Sequence, residues 1–193
     1  MGMDCRVPDT SVDHIGVDRG ALQLARCGIR MVLAVGDFDS VEKEDLGLIR
    51  AYADEMHVLN PVKDDTDSEK ALRMAAERYK YIEVYGGLGG RLDHTLINLK
   101  LASLFHDRVT LYDDRNEVCV HTAGTYEYKA QEYRYFSLIP LETCTVTLEG
   151  MKYPLEDRQI TVNDLYTTSN EITAASGVLH LKQGKAIVIR SRD

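Results

Sequence analysis

MVLAVGDFDSV, residues 31–41, contains an apolar run, a glycine and two acids in close order. A short apolar run of this kind predicts a buried strand at 31–35. Asp37 and Asp39 follow directly behind Gly36, at the point where that strand ends. The stretch therefore predicts a strand that carries two carboxylates to one edge of a sheet.

The alternation of strand and helix continues through the first half of the chain. Predicted strands cover residues 14–17, 31–35, 56–60, 81–86 and 109–114, and predicted helices cover 19–28, 41–55, 67–79 and 92–105. Strands that alternate with helices imply βαβ units and a mostly parallel sheet. We therefore expect an α/β, Rossmann-like domain over residues 1–121.

The second half has a different rhythm, without a convincing helix. Period-two patches and turn residues cover 125–141, 144–150, 160–164 and 177–191. In the last patch, Gln183 and Gly184 predict a hairpin turn between two strands. We therefore expect a C-terminal antiparallel β-sandwich or barrel over residues 122–193.

The composition disfavours several classes of partner. The 193 residues include 31 acidic and 23 basic side chains, and the formal net charge is -8. This charge argues against a nucleic-acid backbone or an anionic membrane as the main partner, although a metal ion can supply positive charge for a small anionic ligand. Apolar runs are too short to cross a membrane and no signal peptide opens the chain, so we expect a cytoplasmic protein.

The four cysteines do not suggest a metal centre. Cys5, Cys27, Cys119 and Cys144 are far apart in sequence and form no CxxC pair. They are interpreted as reduced, mostly buried thiols of a cytosolic protein rather than as zinc ligands.

Charged residues recur directly after successive predicted strands. They are Asp18, Asp37 and Asp39, Asp64 and Asp67, and Arg91 and Asp93. In open α/β sheets ligands bind at the carboxyl ends of the strands, so these segments should converge on one crevice. Clustered carboxylates repel unless a hard cation such as Mg²⁺ neutralises them, and Mg²⁺ commonly binds substrate phosphates as well. Alternate side chains of an extended segment point the same way, so Asp37 and Asp39 are expected to share one metal.

A glycine-rich turn, YGGLGGR at 85–91, links a predicted strand to a predicted helix. Such a turn can present backbone N–H groups to phosphates. Its spacing matches neither the Walker A pattern nor a clean GxGxxG, so by itself it is a weak signal. Arg91 and Arg19 are the nearest cationic candidates for holding phosphate oxygens.

Several of these residues also have a structural explanation. Thr66 and Glu69 fit a capping box in which Thr66 begins a helix, and Asp67 then favours the helix dipole without any ligand. Further candidates for helix caps are Asp18, Asp39, Ser40 and Asp93. The recurrence of the acids after successive strands is what favours a functional site.

Four segments, in their order and spacing, resemble the thiamine pyrophosphokinase family. They are GVDRGA (16–21), GDFDSV (36–41), DDTDSEKAL (64–72) and GGLGGRLDHTLINL (86–99). Two later segments, LEGMKYPL (148–155) and TTSNEI (167–172), resemble the thiamine-binding portion of that family. The resemblance implies an enzyme that transfers pyrophosphate from ATP to the hydroxyl of thiamine, giving thiamine pyrophosphate and AMP.

The resemblance also implies Mg²⁺ as cofactor and ATP as co-substrate. It implies a homodimer in which thiamine lies between the α/β half of one subunit and the β half of the other. The residues that match the family's metal and phosphate ligands are Asp18, Asp37, Asp39 and Asp67. Of these, Asp37, Asp39 and Asp67 are expected to be catalytic together with Arg91, and either Asp67 or Asp39 to accept the hydroxyl proton.

Other site residues follow from the same resemblance. Those that match the surroundings of ATP are Asp18, Arg19, Gly20, Lys63, Asp64, Thr66, Gly87, Arg91 and Asp93. Tyr153 stands where some members have a tryptophan that stacks on the pyrimidine ring, and tyrosine can stack too. Ser169 and Asn170 match residues that help hold thiamine.

The opening of the chain departs from the family. Members usually begin with an apolar strand that ends in a glycine pair, ahead of the segment that becomes HIGVDRG at 14–20. Residues 1–13, MGMDCRVPDTSVD, do not have that pattern. The expectation is a sheet without a central strand and without part of its nucleotide loop.

Two other functions fit parts of the sequence. A haloacid-dehalogenase-type phosphatase carries a DxDx[TV] motif after an apolar strand, where the first aspartate is a nucleophile, and residues 37–41 match it formally. Gly36 before the motif and the β-rich second half argue against this reading. The other alternative is a thiamine- or nucleotide-binding module without turnover.

Overall fold

The computed structural model of the protein describes residues 11–39, 41–60, 65–130 and 133–193. These fall into two compact units, one up to Lys80 and one from Tyr81 on. The elements of the first unit are β1 (Ile15–Val17), α1 (Arg19–Arg26), β2 (Met31–Gly36), α2 (Lys43–Tyr52), β3 (Ala53–Val58) and α3 (Asp67–Arg78). Lys63 and Asp64, two predicted ATP-binding residues, lie outside the described residues.

The second unit holds one helix and ten strands among the residues described. They are β4 (Ile82–Tyr85), α4 (Leu92–Leu104), β5 (Val109–Tyr112), β6 (Asn116–His121), β7 (Gly124–Lys129), β8 (Tyr135–Pro140), β9 (Cys144–Glu149), β10 (Leu155–Ile160), β11 (Asn170–Glu171), β12 (Ser176–Gln183) and β13 (Ala186–Ser191). In the described part of the chain no helix is both long and apolar enough to cross a membrane.

The first unit is a parallel sheet in the order β1–β2–β3, covered by helices on both faces. Ala34 of β2 belongs to a core formed with α1 and α2, whereas Leu33 and Val35 pack with Ala71 of α3. Because β2 is the middle strand, its side chains are buried on both faces, which explains the continuous apolar run of the sequence. The predicted buried strand at 31–35 is confirmed.

The boundary between α2 and β3 differs from the prediction. Residues 53–55 were expected to end a helix, but α2 ends at Tyr52 and these residues begin β3. Ala53 has an extended backbone, and it pairs with Met31 at the start of β2. The helical pattern is weak there, and sheet pairing with β2 decides the local conformation.

The second unit contains two sheets that share an apolar core. A six-stranded sheet has the order β11–β8–β13–β6–β5–β4, and a four-stranded sheet has the order β10–β9–β12–β7. Phe136, Leu138 and Val188 of the first sheet share a core with Val146 and Leu179 of the second. Pairing is antiparallel except between β4 and β5, which are parallel.

The six-stranded sheet therefore combines segments from both predicted domains. Strands β4, β5 and β6 precede residue 122, yet they form one sheet with β8 and β13. The expected α/β class with parallel and antiparallel sheets is confirmed at that coarse level. The division into domains 1–121 and 122–193 stays a prediction.

The predicted hairpin at Gln183–Gly184 is wrong. Strand β12 pairs with β7 and β9, whereas β13 pairs with β6 and β8, so the chain crosses here from one sheet to the other. Gly184 has φ +94°, and a Cβ at this position would lie 2.5 Å from the Thr143 carbonyl oxygen. The same left-handed glycine suits a hairpin and a sheet-to-sheet crossing, and the apolar core decides between them.

Of the strand predicted at 160–164, only Ile160 lies in a strand, so the rest of that prediction is wrong. Strand β10 ends at Ile160, and the chain then turns. Asp164 Oδ2 accepts hydrogen bonds from the Thr161 backbone N–H (2.7 Å) and from Thr161 Oγ1 (2.9 Å). The carboxylate thus takes the N–H group that a strand would have used in its ladder.

A polar network joins the start of β5 to the corner between β6 and β7. Asp107 Oδ1 lies 2.8 Å from His121 Nδ1, and Asp107 also accepts hydrogen bonds from Thr122 Oγ1 (2.7 Å) and Tyr126 Oη (2.9 Å). His121 Nε2 lies 2.8 Å from Tyr128 Oη. A cavity of about 450 Å³ beside this network contains none of the predicted site residues.

Candidate functional site

Three carboxylates meet at one edge of the parallel sheet. Asp18 follows β1, Asp37 follows β2, and Asp67 is the first residue of α3. One carboxylate oxygen from each lies within 4.8 Å of those of the other two, and all three residues are half-buried. We call this set the acidic cluster. Since β1 and β2 are parallel neighbours, their carboxyl ends lie at the same edge and bring the first two acids together.

The acidic cluster fits a hard divalent cation. Three negative charges at this separation repel one another, and carboxylate oxygens are the ligands that Mg²⁺ prefers. Mg²⁺ also keeps coordination positions for water or phosphate, which suits a set of three protein ligands. The donor atoms of Asp18, Asp37 and Asp67 therefore match the metal that the sequence predicts.

Asp18 has a strained backbone. Its φ of 47° and ψ of −119° are unfavourable for a residue with a Cβ. The Asp18 N–H donates to the Val35 carbonyl (3.0 Å), and the Asp18 carbonyl accepts from the Ala21 N–H (3.0 Å). These bonds hold the residue between β1 and α1. Strain of this kind is concentrated at functional sites, where surrounding contacts maintain it.

Gly36 makes room for the acidic cluster. A Cβ built on Gly36 would lie 2.0 Å from Asp18 Oδ1, a distance that no real side chain tolerates. The Gly36 carbonyl accepts a hydrogen bond from the Leu59 N–H (2.8 Å), which fixes the backbone. The glycine between strand and acids is thus required by the close approach of a carboxylate.

Asp39 lies outside the acidic cluster. Phe38 has φ +54° and buries its ring in the core with α1 and α2, so the segment turns and the expected extended geometry is wrong. Asp39 is exposed, and its backbone N–H donates to Asp37 Oδ1 (3.2 Å). The structure therefore groups three of the four predicted metal ligands, and a metal role for Asp39 stays a prediction.

The start of α3 has the structural role that its sequence predicts. Thr66 is the N-cap, and its Oγ1 accepts a hydrogen bond from the Glu69 N–H (3.1 Å). The Glu69 carboxylate accepts from Arg73 Nε (3.0 Å) and Nη2 (2.6 Å). The cap fixes where α3 begins and so places Asp67 in its first turn. Arg19 and Gly20 are exposed residues at the start of α1.

The glycine-rich turn lies in the second unit, between β4 and α4. Glycines with positive φ in this turn are Gly86, Gly89 and Gly90. Asn98 Nδ2 donates to the Gly87 carbonyl (2.8 Å), and Thr95 Oγ1 donates to the Gly89 carbonyl (3.1 Å). Asn98 and Thr95 were not among the predicted site residues. Their three-residue spacing, which puts both on one side of α4, is the signal that could have identified them.

Arg91 and Asp93 form an exposed ion pair at the start of α4. Arg91 Nη2 lies 2.5 Å from Asp93 Oδ2, and Arg91 Nε lies 3.1 Å from Asp93 Oδ1. The hydrogen bond from Arg91 lowers the pKa of Asp93 to about 2. Asp93 Oδ1 also accepts from the His94 N–H (3.0 Å), which is a structural role at the helix start. A guanidinium has five N–H donors, so Arg91 keeps donors for a further acceptor.

The three residues predicted to bind thiamine lie in the second unit. Tyr153 is in the loop between β9 and β10, and 59% of the residue is exposed. Asn170 in β11 is buried, and its carboxamide hydrogen-bonds to the backbone of Tyr153. Ser169 is exposed, with φ +56°, and its N–H donates to Ser137 Oγ (3.0 Å). The structure thus brings Tyr153 and Asn170 together.

Comparison with known proteins finds relatives over most of the chain. The family model described as "Thiamin pyrophosphokinase, catalytic domain" matches residues 7–112. The model described as "Thiamin pyrophosphokinase, vitamin B1 binding domain" matches residues 125–186. A relative named thiamine pyrophosphokinase, from Bacillus subtilis (strain 168), is 36% identical over 186 residues, which cover 93% of this chain and 87% of the relative.

Solved structures show the same fold. The crystal structure of thiamine pyrophosphokinase from Bacillus subtilis has a TM-score of 0.86 and 34% identity, covering 93% of this chain and 87% of that one. The corresponding structure from Geobacillus thermodenitrificans has a TM-score of 0.83 and 38% identity, covering 94% and 87%. The acidic cluster lies in the first matched segment, and Tyr153, Ser169 and Asn170 lie in the second.

Proposed function

Because this chain belongs to the thiamin pyrophosphokinase family, we propose that it transfers a pyrophosphoryl group from ATP to the hydroxyl of thiamine and releases AMP. The observation that carries the proposal is the acidic cluster, whose three carboxylates converge within the catalytic segment. Such a cluster is suited to a reaction in which charged phosphates must be held and neutralised.

Asp18, Asp37 and Asp67 would hold Mg²⁺, which when bound neutralises the phosphate oxygens of ATP. Gly36 keeps the space that these carboxylates occupy. The glycine-rich turn offers backbone N–H groups to phosphate oxygens, with Thr95 and Asn98 holding its carbonyls in place. Residues assigned to ATP by the same proposal are Arg19, Gly20, Lys63, Asp64, Thr66, Gly87, Arg91 and Asp93.

The chemical step is a displacement at the β-phosphorus. The thiamine oxygen forms a bond to that phosphorus, the bond from the β-phosphorus to the bridging oxygen breaks, and AMP leaves with the electron pair. Positioning and charge neutralisation lower the barrier of such transfers more than covalent chemistry does. The hydroxyl proton passes to a carboxylate. A carboxylate that binds a cation is a weaker proton acceptor, and Asp39 lies outside the acidic cluster whereas Asp67 belongs to it, so we assign Asp39 as the proton acceptor in place of its predicted metal role.

Tyr153, Ser169 and Asn170 form the thiamine side of the proposed site. The exposed ring of Tyr153 offers a flat surface for the pyrimidine. The net negative charge of the chain favours approach of the cationic thiazolium ring. We expect a homodimer whose subunits share the site, with no nucleic-acid or membrane partner. We also expect a cytoplasmic location, where the free thiols Cys27, Cys119 and Cys144 stay reduced.

Release of AMP is the measurement that tests the proposal. The chain is incubated with ATP and Mg²⁺, with and without thiamine, and AMP and thiamine pyrophosphate are quantified. We expect equal amounts of both products, formed only when thiamine is present. Inorganic phosphate released through an aspartyl-phosphate would support the phosphatase instead. Thiamine binding without AMP would support a module without turnover.

A further inference from the structure

Asn170 is a buried residue whose side chain hydrogen-bonds to neighbouring groups of the protein. Only 6% of the residue is exposed, whereas Gln159, Asn163 and Gln183 of the same unit are exposed. Its position in β11, paired with Phe136 of β8, fixes its backbone. A buried amide of this kind hydrogen-bonds either to a ligand or to neighbouring groups of the protein.

The geometry of the carboxamide favours the second role. Asn170 Oδ1 accepts from the Tyr153 N–H (3.0 Å) and from the Glu171 N–H (2.9 Å). Asn170 Nδ2 donates to the Tyr153 carbonyl (2.9 Å) and contacts Met151 Sδ (3.7 Å). The two acceptor sites and two donors of an asparagine amide are therefore all engaged. The backbone N–H of Tyr153 faces Oδ1 and its carbonyl faces Nδ2, so the orientation of the amide is fixed by its partners.

Further backbone contacts join residues 151–153, in the loop between β9 and β10, to β11 and to Ile172. The Lys152 N–H donates to the Glu171 carbonyl (2.9 Å), and Met151 forms a β-bridge with Ile172. Residues 151–153 thus lie along residues 170–172 with their backbone held at each position. An exposed aromatic ring on a backbone held in this way is preorganised, so a ligand that stacks on it does not have to order the loop.

Lys152 and Glu171 define the surroundings of the Tyr153 ring. Lys152 Nζ lies 5.6 Å from the centroid of that ring, and it also lies 2.8 Å from Glu171 Oε1. The carboxylate offsets the positive charge, which would otherwise repel a cationic ligand nearby. A flat ligand that stacks on Tyr153 therefore meets the face opposite Lys152.

We infer that Asn170 is a positioning residue, which holds both peptide groups of Tyr153 and presents its ring, and that it does not itself contact thiamine. This inference rests on the proposed function for the identity of the ligand. Ser169 differs from Asn170 in this respect, because it is exposed and has the left-handed backbone that is typical of functional sites. Ser169 thus offers an exposed side chain for ligand contact, and Asn170 a buried one that supports the loop.

A double-mutant cycle tests the inference. The dissociation constant of thiamine is measured by calorimetry in the presence of Mg²⁺ and AMP, for the wild type, Asn170→Ala, Tyr153→Ala and the double variant. We expect Asn170→Ala to weaken binding about tenfold when Tyr153 is present and by less than about twofold when it is absent, since residues that act through one another are not additive. An equal loss in both backgrounds means that Asn170 contacts the ligand and overturns the inference.

A matched control and a second measurement guard against a folding defect. Asn163→Ala removes an exposed amide from the same unit and should leave thiamine affinity and melting temperature unchanged. In the wild type, the Tyr153 backbone N–H should exchange with deuterium as slowly as a strand amide, although its side chain is exposed. Fast exchange at Tyr153 contradicts the inference even if every Asn170 variant fails to fold.

The same experiments separate this inference from the proposed function. A wild-type chain that binds no thiamine contradicts the proposed function, and the exchange of the Tyr153 amide then decides the inference by itself. If the wild type binds thiamine but the Tyr153 amide exchanges fast, the proposed ligand stands and the positioning role of Asn170 is contradicted.

Discussion

Asp37 is the residue at which the sheet, the acidic cluster and the neighbouring turn meet. Its carboxylate lies with those of Asp18 and Asp67, and it also accepts the Asp39 N–H. Asparagine has almost the same shape but lacks the charge. A substitution here therefore separates the electrostatic role of the side chain from its role in packing.

We predict that Asp37→Asn lowers kcat by about 100-fold or more, because preorganised charge at a reacting centre contributes on that order. Melting temperature should change little, since the substitution relieves repulsion among the three acids. AMP release and thermal melting measure the two effects. Asp114→Asn is the matched control, because Asp114 is exposed in the turn between β5 and β6. Full activity in Asp37→Asn would remove the residue from the reaction.

Gly36→Ala tests the space around the cluster rather than its charge. The added Cβ would meet Asp18 Oδ1 at 2.0 Å, so Asp18 must move away from its partners. We expect Mg²⁺ affinity, measured by calorimetry without nucleotide, to fall about 10- to 100-fold, as when support of a metal ligand is lost.

Gly47→Ala is the corresponding control in α2. A Cβ at Gly47 meets nothing within 4 Å, and alanine favours a helix by about 0.5–1 kcal/mol. The control should therefore be slightly more stable and bind Mg²⁺ normally. Unchanged Mg²⁺ affinity in Gly36→Ala would show that the cluster tolerates displacement of Asp18.

At the scale of elements, α3 depends on its first residues. Thr66 caps the helix, and the helix carries Asp67 into the acidic cluster. Thr66→Ala should lower the free energy of unfolding by about 1 kcal/mol, the usual cost of losing an N-cap hydroxyl. Urea denaturation measures this loss, and Thr66→Ser, which keeps the hydroxyl, should restore the stability.

The same variants distinguish capping from ATP binding. If Thr66 acts only as a cap, KM for ATP changes little in Thr66→Ala once the protein is folded. A large rise in KM for ATP, with Thr66→Ser close to normal, would show that the hydroxyl also binds the nucleotide. The sequence favoured both roles, and the structure shows the hydrogen bond of the first.

Local sequence patterns predicted where strands and helices lie better than they predicted which strands pair and which side chains meet. Strand β2 was recognisable because burial on both faces leaves a continuous apolar run, and the convergence of Asp18, Asp37 and Asp67 follows from parallel strand order. The exclusion of Asp39 depends on the positive φ of Phe38, which buries its ring and turns the chain. No property of residues 36–39 alone requires that turn, so the sequence suggested an extended segment.

The crossing at Gly184 shows the same limit. Gln183 and Gly184 have the composition of a hairpin, but the two flanking strands do not pair with each other: β12 pairs with β7 and β9, and β13 pairs with β6 and β8, all of them distant in the chain. Partner choice is decided by the apolar core between the sheets, which is a property of the whole unit. Local turn chemistry constrains only the conformation of the glycine.

At the scale of the whole molecule, stability should depend on pH through His121. Burial lowers the pKa of His121, although the hydrogen bond with Asp107 opposes the change. The folded chain thus favours the neutral imidazole. The contribution of His121 to stability is fully present above the unfolded pKa of about 6.5 and is lost progressively as pH falls below it. The pKa of Asp107 is lowered too, so its contribution is lost only below about 3.8.

We therefore predict that the urea concentration at the midpoint of unfolding decreases when the pH is lowered from 7.5 to 5.5. Replacement of His121 by glutamine should reduce that fall, even though it weakens the network with Tyr126 and Tyr128. His94→Gln, at an exposed position, should leave the pH dependence as it is in the wild type. The same slope in His121→Gln and the wild type would assign the pH dependence to other groups.

Strand β13 lies between β6 and β8 in the six-stranded sheet, although it follows both of them in the chain. During synthesis on a ribosome, β6 and β8 emerge before β13. They cannot complete their sheet until the strand that separates them has been synthesised. The first unit has no such dependence, since all its described strands pair with neighbours in sequence. A nascent chain stalled before Ala186 should therefore resist protease in its first unit while its second unit is still digested.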